Sequence, residues 1–237
     1  MTARTNELGL PIGAEVPGWT PRPRPPRAML EGRYCRLEPL DASRHAAGLH
    51  DANTLDREGR MWTYLAYGPF DSLDAYHRQL EAWQVSSDPL FFAILDARDE
   101  CAAGLGSHLR IDAANGSIEI GHLQFSPRLQ RTAAATEALY LMLRQAFELG
   151  YRRCEWKCDA LNAASRRAAE RLGFTFEGVF RQAVVYKGRN RDTAWYSIID
   201  AEWPRLDAEY RRWLEPANFD AEGRQLTHLG NTGHQRV

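Results

Sequence analysis

"SPRLQRTAAATEAL", Ser126 to Leu139, joins a strand to a helix, and its reading sets the fold. Upstream, "SIEIGHLQFS" (117–126) alternates apolar and polar residues as a strand does. Downstream, Leu139, Leu143, Ala146 and Phe147 share one face at helical spacing, which predicts a helix from about Thr136 to Leu149 with Gly150 as its C-cap. The next strand-like stretch, "RCEWKCDAL" (153–161), follows that helix, so a helical crossover allows it to run parallel to a neighbour. The junction itself resembles a phosphate-holding turn, because the unpaired N–H groups and the dipole at a helix start attract anions. It contains no glycine: Gln130, Arg131, Thr132 and the alanines Ala133, Ala134 and Ala135 stand there instead.

Working outward, "LFFAILDA" (90–97), "CAAGLGSHLRID" (101–112) and 117–126 are separated by short connections, and "DAANGS" carries the Asn-Gly of a tight hairpin. These three strands are expected to pair antiparallel. "LEGRYCRLEPL" (30–40) reads as a further strand, with Asp41 and Ser43 as N-cap candidates for a helix through "RHAAGLHDAN". A second helix is expected from Asp71, where Leu73, Tyr76, His77, Leu80 and Trp83 recur at roughly helical spacing. Beyond the crossover come a helix, "AASRRAAERL", ending at Gly173, and two strands, "TFEGVFRQAVVYK" and "RDTAWYSIID", joined by the turn "GRN". A terminal helix starts at Trp203-Pro204. The sum is an α/β mixed (α+β) domain over residues 29–214, a single mostly antiparallel sheet with helices on both faces. Residues 1–28, with "PRPRPPR", form an extended Pro-rich arm that Trp19 docks somewhere; residues 215–237 read as a disordered polar tail.

The 237 residues are 44% hydrophobic, enough for an ordinary core. Thirty basic against thirty-one acidic residues give a net charge of -1, so no global field draws the chain to nucleic acid or to an anionic membrane. No signal-peptide core or membrane-length apolar run is present, which predicts a cytoplasmic protein. Cys35, Cys101, Cys154 and Cys158 fall in strand-like segments as buried thiols would, and neither they nor the histidines have metal-site spacing, so no metal is expected.

The order of elements, with "IEIGHLQFSPRLQRTAAATEALYLML", "DALNAASRRAAERLGF" and "GRNRDTAWYSIIDAEWP", resembles the GNAT superfamily of N-acetyltransferases, in its RimJ/RimL-like branch, over roughly Leu30 to Trp203. The resemblance implies acetyl-CoA as donor and a primary amine as acceptor, either a small molecule or a protein N-terminal α-amine. It also implies a splayed central strand pair with pantetheine in the gap, held by backbone groups near Leu123, for the thioester carbonyl, and Phe125. The family's loop places Gln or Arg first and Gly or Ala last; Gln130 and Ala135 match, and Ala133 replaces the first glycine. Were positive φ required at Ala133, binding would weaken by about 1–2 kcal/mol. Thr136, and Arg131 or Arg128, are expected to add phosphate contacts; the alternative is that "AAATEAL" is simply a good helix start.

Acetyl transfer needs an unprotonated amine, a polarised carbonyl and a leaving thiolate. By similarity Glu119 is the base; the alternative is a structural carboxylate paired with an arginine such as Arg110 on the neighbouring strand. The family's thiolate-protonating tyrosine is replaced by Ala169, and "NAAS" supplies Asn162 to hold the cofactor and Ser165 as acid, or a plain helix cap. Trp62, Tyr64, Tyr67, His122 and Tyr186 are expected to line the acceptor pocket, or else to be ordinary core aromatics. A CoA-binding module without turnover is the competing function, motivated by the missing glycine and tyrosine, and a fold that binds no CoA is a third. Whether the Trp19 arm and the Trp203–Trp213 segment pack within one chain or across a homodimer stays open.

Overall fold

The computed structural model describes residues 4–230. A small hairpin, β1 (Arg4–Thr5) with β2 (Pro11–Ile12), lies in the N-terminal arm. The main sheet has eight strands: β3 (Leu30–Glu31), β4 (Cys35–Pro39), β5 (Leu90–Asp96), β6 (Ala102–Asp112), β7 (Ser117–Phe125), β8 (Arg153–Asp159), β9 (Thr175–Tyr186) and β10 (Arg189–Ile199). Their order is β3-β4-β5-β6-β7-β8-β10-β9, antiparallel throughout except for β7 beside β8. Helices α1 (Ala42–Thr54) and α2 (Leu73–Gln84) cover one face, and α3 (Ala133–Glu148) and α5 (Trp203–Trp213) the other; α4 (Ala163–Arg171) connects β8 to β9.

Strand β5 shows why the layers form. Every residue in it is buried, with Phe91, Ala93 and Leu95 packed among α1 and α2 and Leu90, Phe92 and Ile94 facing the α3 core. A strand covered on both faces needs an unbroken apolar run, and "LFFAIL" provides one.

The expected caps form at the start of α1 and at the ends of α3 and α4. Asp41 accepts the N–H of Arg44, and Gly150 and Gly173 take positive φ beyond α3 and α4. Helix α2 starts at Leu73, capped by Ser72 rather than Asp71. Helix α3 starts at Ala133, three residues earlier than the spacing predicts, because the Thr132 hydroxyl accepts the N–H of Ala135 at 3.1 Å and the alanines propagate the turn. The last hairpin turns at Lys187-Gly188, both at positive φ, so β10 begins at Arg189 inside the expected "GRN" turn. Cys101 is exposed, whereas Cys35, Cys154 and Cys158 are buried; all four thiols are free.

Glu137, in the first turns of α3, ties that helix to the sheet edge. Its carboxylate accepts the backbone N–H groups of Arg33 (2.8 Å), Tyr34 (2.5 Å) and Cys35 (2.9 Å). Gly32 is required beside it, since a Cβ there would lie 2.5 Å from the carboxyl group.

Both ends of the chain pack on the domain. Trp19 donates from Nε1 to Ala114 O at 2.8 Å, and its ring fills the space over Gly116. The arm thus docks on the β6–β7 hairpin. The expectation of a disordered tail from residue 215 fails: Phe219 meets Trp213 edge-on at 5.1 Å, the Asn218 amide donates to Trp213 O at 2.9 Å, and Leu229 is buried. Sparse apolar anchors, not average composition, hold this segment. The remainder of the expected tail, 231–237, and residues 1–3 of the arm lie outside the described residues.

Candidate active site

Strands β7 and β8 pair only at Ser117–Arg153, Ile118–Cys154 and Glu119–Glu155, then part. On the other side, Ser107 faces Gly121 and Leu105 faces Gln124, so His122 and Leu123 together oppose Gly106. This is a β-bulge, with His122 at φ +50°. Ser126 donates its N–H to Ala103 O on β6. By strand alternation the N–H of Phe125, and beyond Gln124 that of Leu123, turn away from β6 toward the opening.

The α3 N-terminus stands at the end of that strand. The left-handed residue of the loop is Arg131, at φ +63°; Ala133 is an ordinary right-handed helical residue. Several expected donors are engaged: the N–H of Gln130 goes to Ser126 O, that of Ala135 to the Thr132 hydroxyl and that of Thr136 to Thr132 O. The N–H groups of Arg131, Ala133 and Ala134 have no partner among the described residues. The Gln130 side-chain amide donates to Phe125 O at 2.8 Å, fastening the loop to the strand. Thr136 departs from expectation: it is 2% exposed and its hydroxyl accepts from Arg171 at 2.8 Å, because α3 begins early and turns it inward. Arg128 is ion-paired with Asp99, which leaves exposed Arg131 as the loop's available cation.

Glu119 is 3% exposed, with the Arg110 guanidinium at 2.7 Å and Lys157 Nζ at 3.0 Å, both on Oε2. The Arg110 contact is the one the alternative reading names. Lys157, with a side chain 7% exposed, also bonds Glu155 at 2.7 Å and sits 3.6 Å above the Trp195 ring. Burial pushes the Glu155 carboxyl up, and its contacts with Lys157 and Arg153 more than offset that, leaving it below the usual range. Like charges directly opposed across a strand pair repel, and Lys157 is the cation that lets Glu119 and Glu155 face each other.

At α4, Asn162 Oδ1 accepts the N–H of Ser165 at 3.0 Å as an N-cap, and the Ser165 hydroxyl accepts from Trp156 Nε1 at 3.0 Å. Both residues thus have structural partners, and the Ser165 hydroxyl also hydrogen-bonds the Cys158 thiol.

The five expected acceptor residues divide. Trp62 is buried in the α1/α2 core and packs on Gly68 and Phe70, so it is a core aromatic. Tyr186 is buried and donates to Asp159 at 2.9 Å; burial first, then Asp159, raises its pKa. Tyr64 donates to Leu161 O at 3.2 Å, and Tyr67 stacks on His122, ring centroids 5.7 Å apart at 15°. Burial pushes the His122 imidazole down to about 4, helped by Arg110.

Lys157 and Asp159 were not singled out in the sequence. Their signal was present: Glu155, Lys157 and Asp159 put three charged residues on one face of a central strand, which demands partners or function.

A family model described as "Acetyltransferase (GNAT) domain" matches residues 35–175. A GCN5-related N-acetyltransferase from Brucella melitensis is 48% identical, covering 90% of this chain and 97% of its own, with a TM-score of 0.88. The Bacillus subtilis (strain 168) protein named "Putative ribosomal N-acetyltransferase YdaF" is 28% identical over 172 residues, 70% of this chain and 90% of that protein. A Salmonella typhimurium acetyltransferase, described as modifying the N-terminal serine of the 50S ribosomal subunit protein L7/L12, shares the fold at 22% identity and a TM-score of 0.62, covering 73% of this chain and 99% of its own. With the splayed parallel pair and the anion-receptive start of α3, these likenesses establish that the chain belongs to the GNAT family of acetyltransferases.

Proposed function

We propose that this enzyme moves the acetyl group of acetyl-CoA directly to a primary amine in the cytoplasm, the acceptor being a small-molecule amine or the α-amine of a protein N-terminus. The observation that carries the reading is the opening between β7 and β8, which ends at three unpartnered backbone N–H groups, those of Arg131, Ala133 and Ala134. They suit a pyrophosphate, and the N–H groups of Leu123 and Phe125 suit the thioester arm. Acetyl-CoA supplies the activated acyl group; Arg131 would add charge at the loop, and Asn162 and Ser165 would meet its sulfur end. Tyr64, Tyr67 and His122 would face the acceptor. The names of the Bacillus and Salmonella relatives favour a ribosomal-protein N-terminus within this class, in keeping with a RimJ/RimL-like enzyme.

Calorimetric titration of acetyl-CoA, followed by CoA-thiol release with a peptide bearing an N-terminal serine and with tyramine as a small flat amine, tests this. Micromolar binding, about 8 kcal/mol, with thiol release for either amine supports it. One observation favours the non-catalytic alternative: Glu119 already carries two cations on one oxygen. Acetyl-CoA binding without acetylated product from any amine would establish that alternative.

A further inference from the structure

The reaction needs a group that accepts the amine's proton, and the buried carboxylate at the base of the opening is engaged with two cations. Arg110 at 2.7 Å and Lys157 at 3.0 Å both hold Glu119 Oε2, which ties this side chain into the ion pairs between the strands. Three residues along β7 stands a different group. His122 occupies the bulge at φ +50°, a backbone state that a β-branched or bulky side chain seldom adopts and that recurs at functional sites. The bulge turns its imidazole onto the α2 side of the sheet, half-buried against Tyr67, Phe91 and Trp83. Stacking on Tyr67 at 15° fixes the ring plane. Neither ring nitrogen has a hydrogen-bond partner among the described residues, and neither is sealed from solvent. The adjacent residue, Leu123, turns its N–H into the opening.

We propose that His122 is the general base of the transfer, with Tyr67 as the residue that positions its ring. This rests on the acetyltransferase reading above. The amine nitrogen attacks the thioester carbonyl and a C–N bond forms; a ring nitrogen of His122 takes the N–H proton; the C–S bond breaks with its electron pair on sulfur; and the thiolate recovers one proton, from the imidazolium or through Ser165 and solvent. No other reactant is consumed. The charged groups facing the ring are Arg110 from β6, itself held by Glu119 of β7; Tyr67 contributes a neutral phenol, and Trp83 and Phe91 carry no charge. Burial first, and then the opposing charge of Arg110, keep the free imidazole neutral, the form a base requires.

Two measurements test this. Diethylpyrocarbonate at pH 6.5, mapped by peptide mass spectrometry on the whole protein, is expected to modify His122 and to spare the fully buried His108. An unmodified His122 would overturn the proposal whether or not an acceptor is known. With the serine peptide or tyramine as probe, His122→Gln is expected to lower kcat about 100-fold or more at unchanged acetyl-CoA affinity. His122→Ala is expected to recover activity with added imidazole, and the acidic limb of the wild-type kcat/KM profile to vanish in both variants. Wild-type-like turnover or an unchanged acidic limb in His122→Gln would overturn the assignment. A wild-type enzyme inert toward both amines would instead count against the reading of the acceptor, with the modification result still deciding whether His122 is an accessible base.

Discussion

Replacing Ala133 with glycine decides whether the loop's missing glycine matters. Ala133 is the first residue of α3 in right-handed conformation, and the positive φ of this loop falls on Arg131 instead. Restoring glycine therefore relieves no backbone strain, and it removes a good helix former at a cost of at most about 1 kcal/mol, or roughly 2–4 °C in Tm. The N–H of Ala133 is already unpartnered, so no donor is gained. Calorimetry is expected to give acetyl-CoA affinities within about twofold of one another for wild type and Ala133→Gly. Arg131→Gly is the informative companion. It relieves about 1–2 kcal/mol of left-handed strain, raising Tm, and deletes the loop's available cation, which weakens acetyl-CoA binding about tenfold or more. Stability and affinity thus move in opposite directions at Arg131 and hardly at all at Ala133. Tenfold tighter binding by Ala133→Gly would show that the methyl group obstructs the phosphates and would refute the reasoning.

Glu137→Ala strands three backbone N–H groups under α3, and denaturant unfolding is expected to show a loss of about 3 kcal/mol or more, near 6–12 °C in Tm. Burial pushes the His108 imidazole down to about 4, and the unfolded chain titrates near ~6.5, so unfolding takes up a proton. Its contribution is intact above pH ~6.5 and lost as the pH falls toward 4, by up to about 3 kcal/mol; His108→Leu should flatten stability across that window in pH-dependent melts. Trp19→Ala frees the arm, expected as faster hydrogen exchange at residues 19–28 and at Ala113–Gly116 with acetyl-CoA affinity unchanged. Ser165→Ala is expected to lower turnover while preserving acetyl-CoA binding; unchanged turnover would remove its hydroxyl from the thiolate's proton path.

What the sequence revealed was what local chemistry controls. Apolar period, caps and turn glycines placed the strands from β5 to β10, whereas 30–40, expected as one strand, is a tight hairpin of β3 with β4 that turns where Gly32 N–H meets Cys35 O. The crossover through α3 follows from chain order alone. The start of α3 lies three residues before the expected Thr136 because the apolar spacing marks only the helix's buried face, while the Thr132 hydroxyl caps the turn that precedes it. The last segment was misread because a polar average conceals Asn218, Phe219 and Leu229, whose partners Trp213 and Tyr34 lie elsewhere in the chain. Within the site, Arg110 beside Glu119 was foreseeable from antiparallel neighbours. Lys157 was not, because its place depends on the parallel register of β7 and β8, which spans only three residue pairs.

That short register also accounts for the location of the chemistry. Glu119 and Glu155 face each other at the last paired position, where a buried and a partly buried carboxylate would drive the strands apart without Lys157 between them. The cation closes the base of the opening, and Arg153 extends the ion pairs from Glu155 to Glu177 on β9. Above this anchored base, the bulge at His122 and Leu123 bends β7 away from β8, and Gln130 fastens the far end to Phe125. The opening is therefore held at both ends with its backbone donors unpaired between them. On this argument Glu119 contributes chiefly by holding the sheet in the parted state, and the proton is left to a side chain beyond the ion pairs, which on β7 is His122.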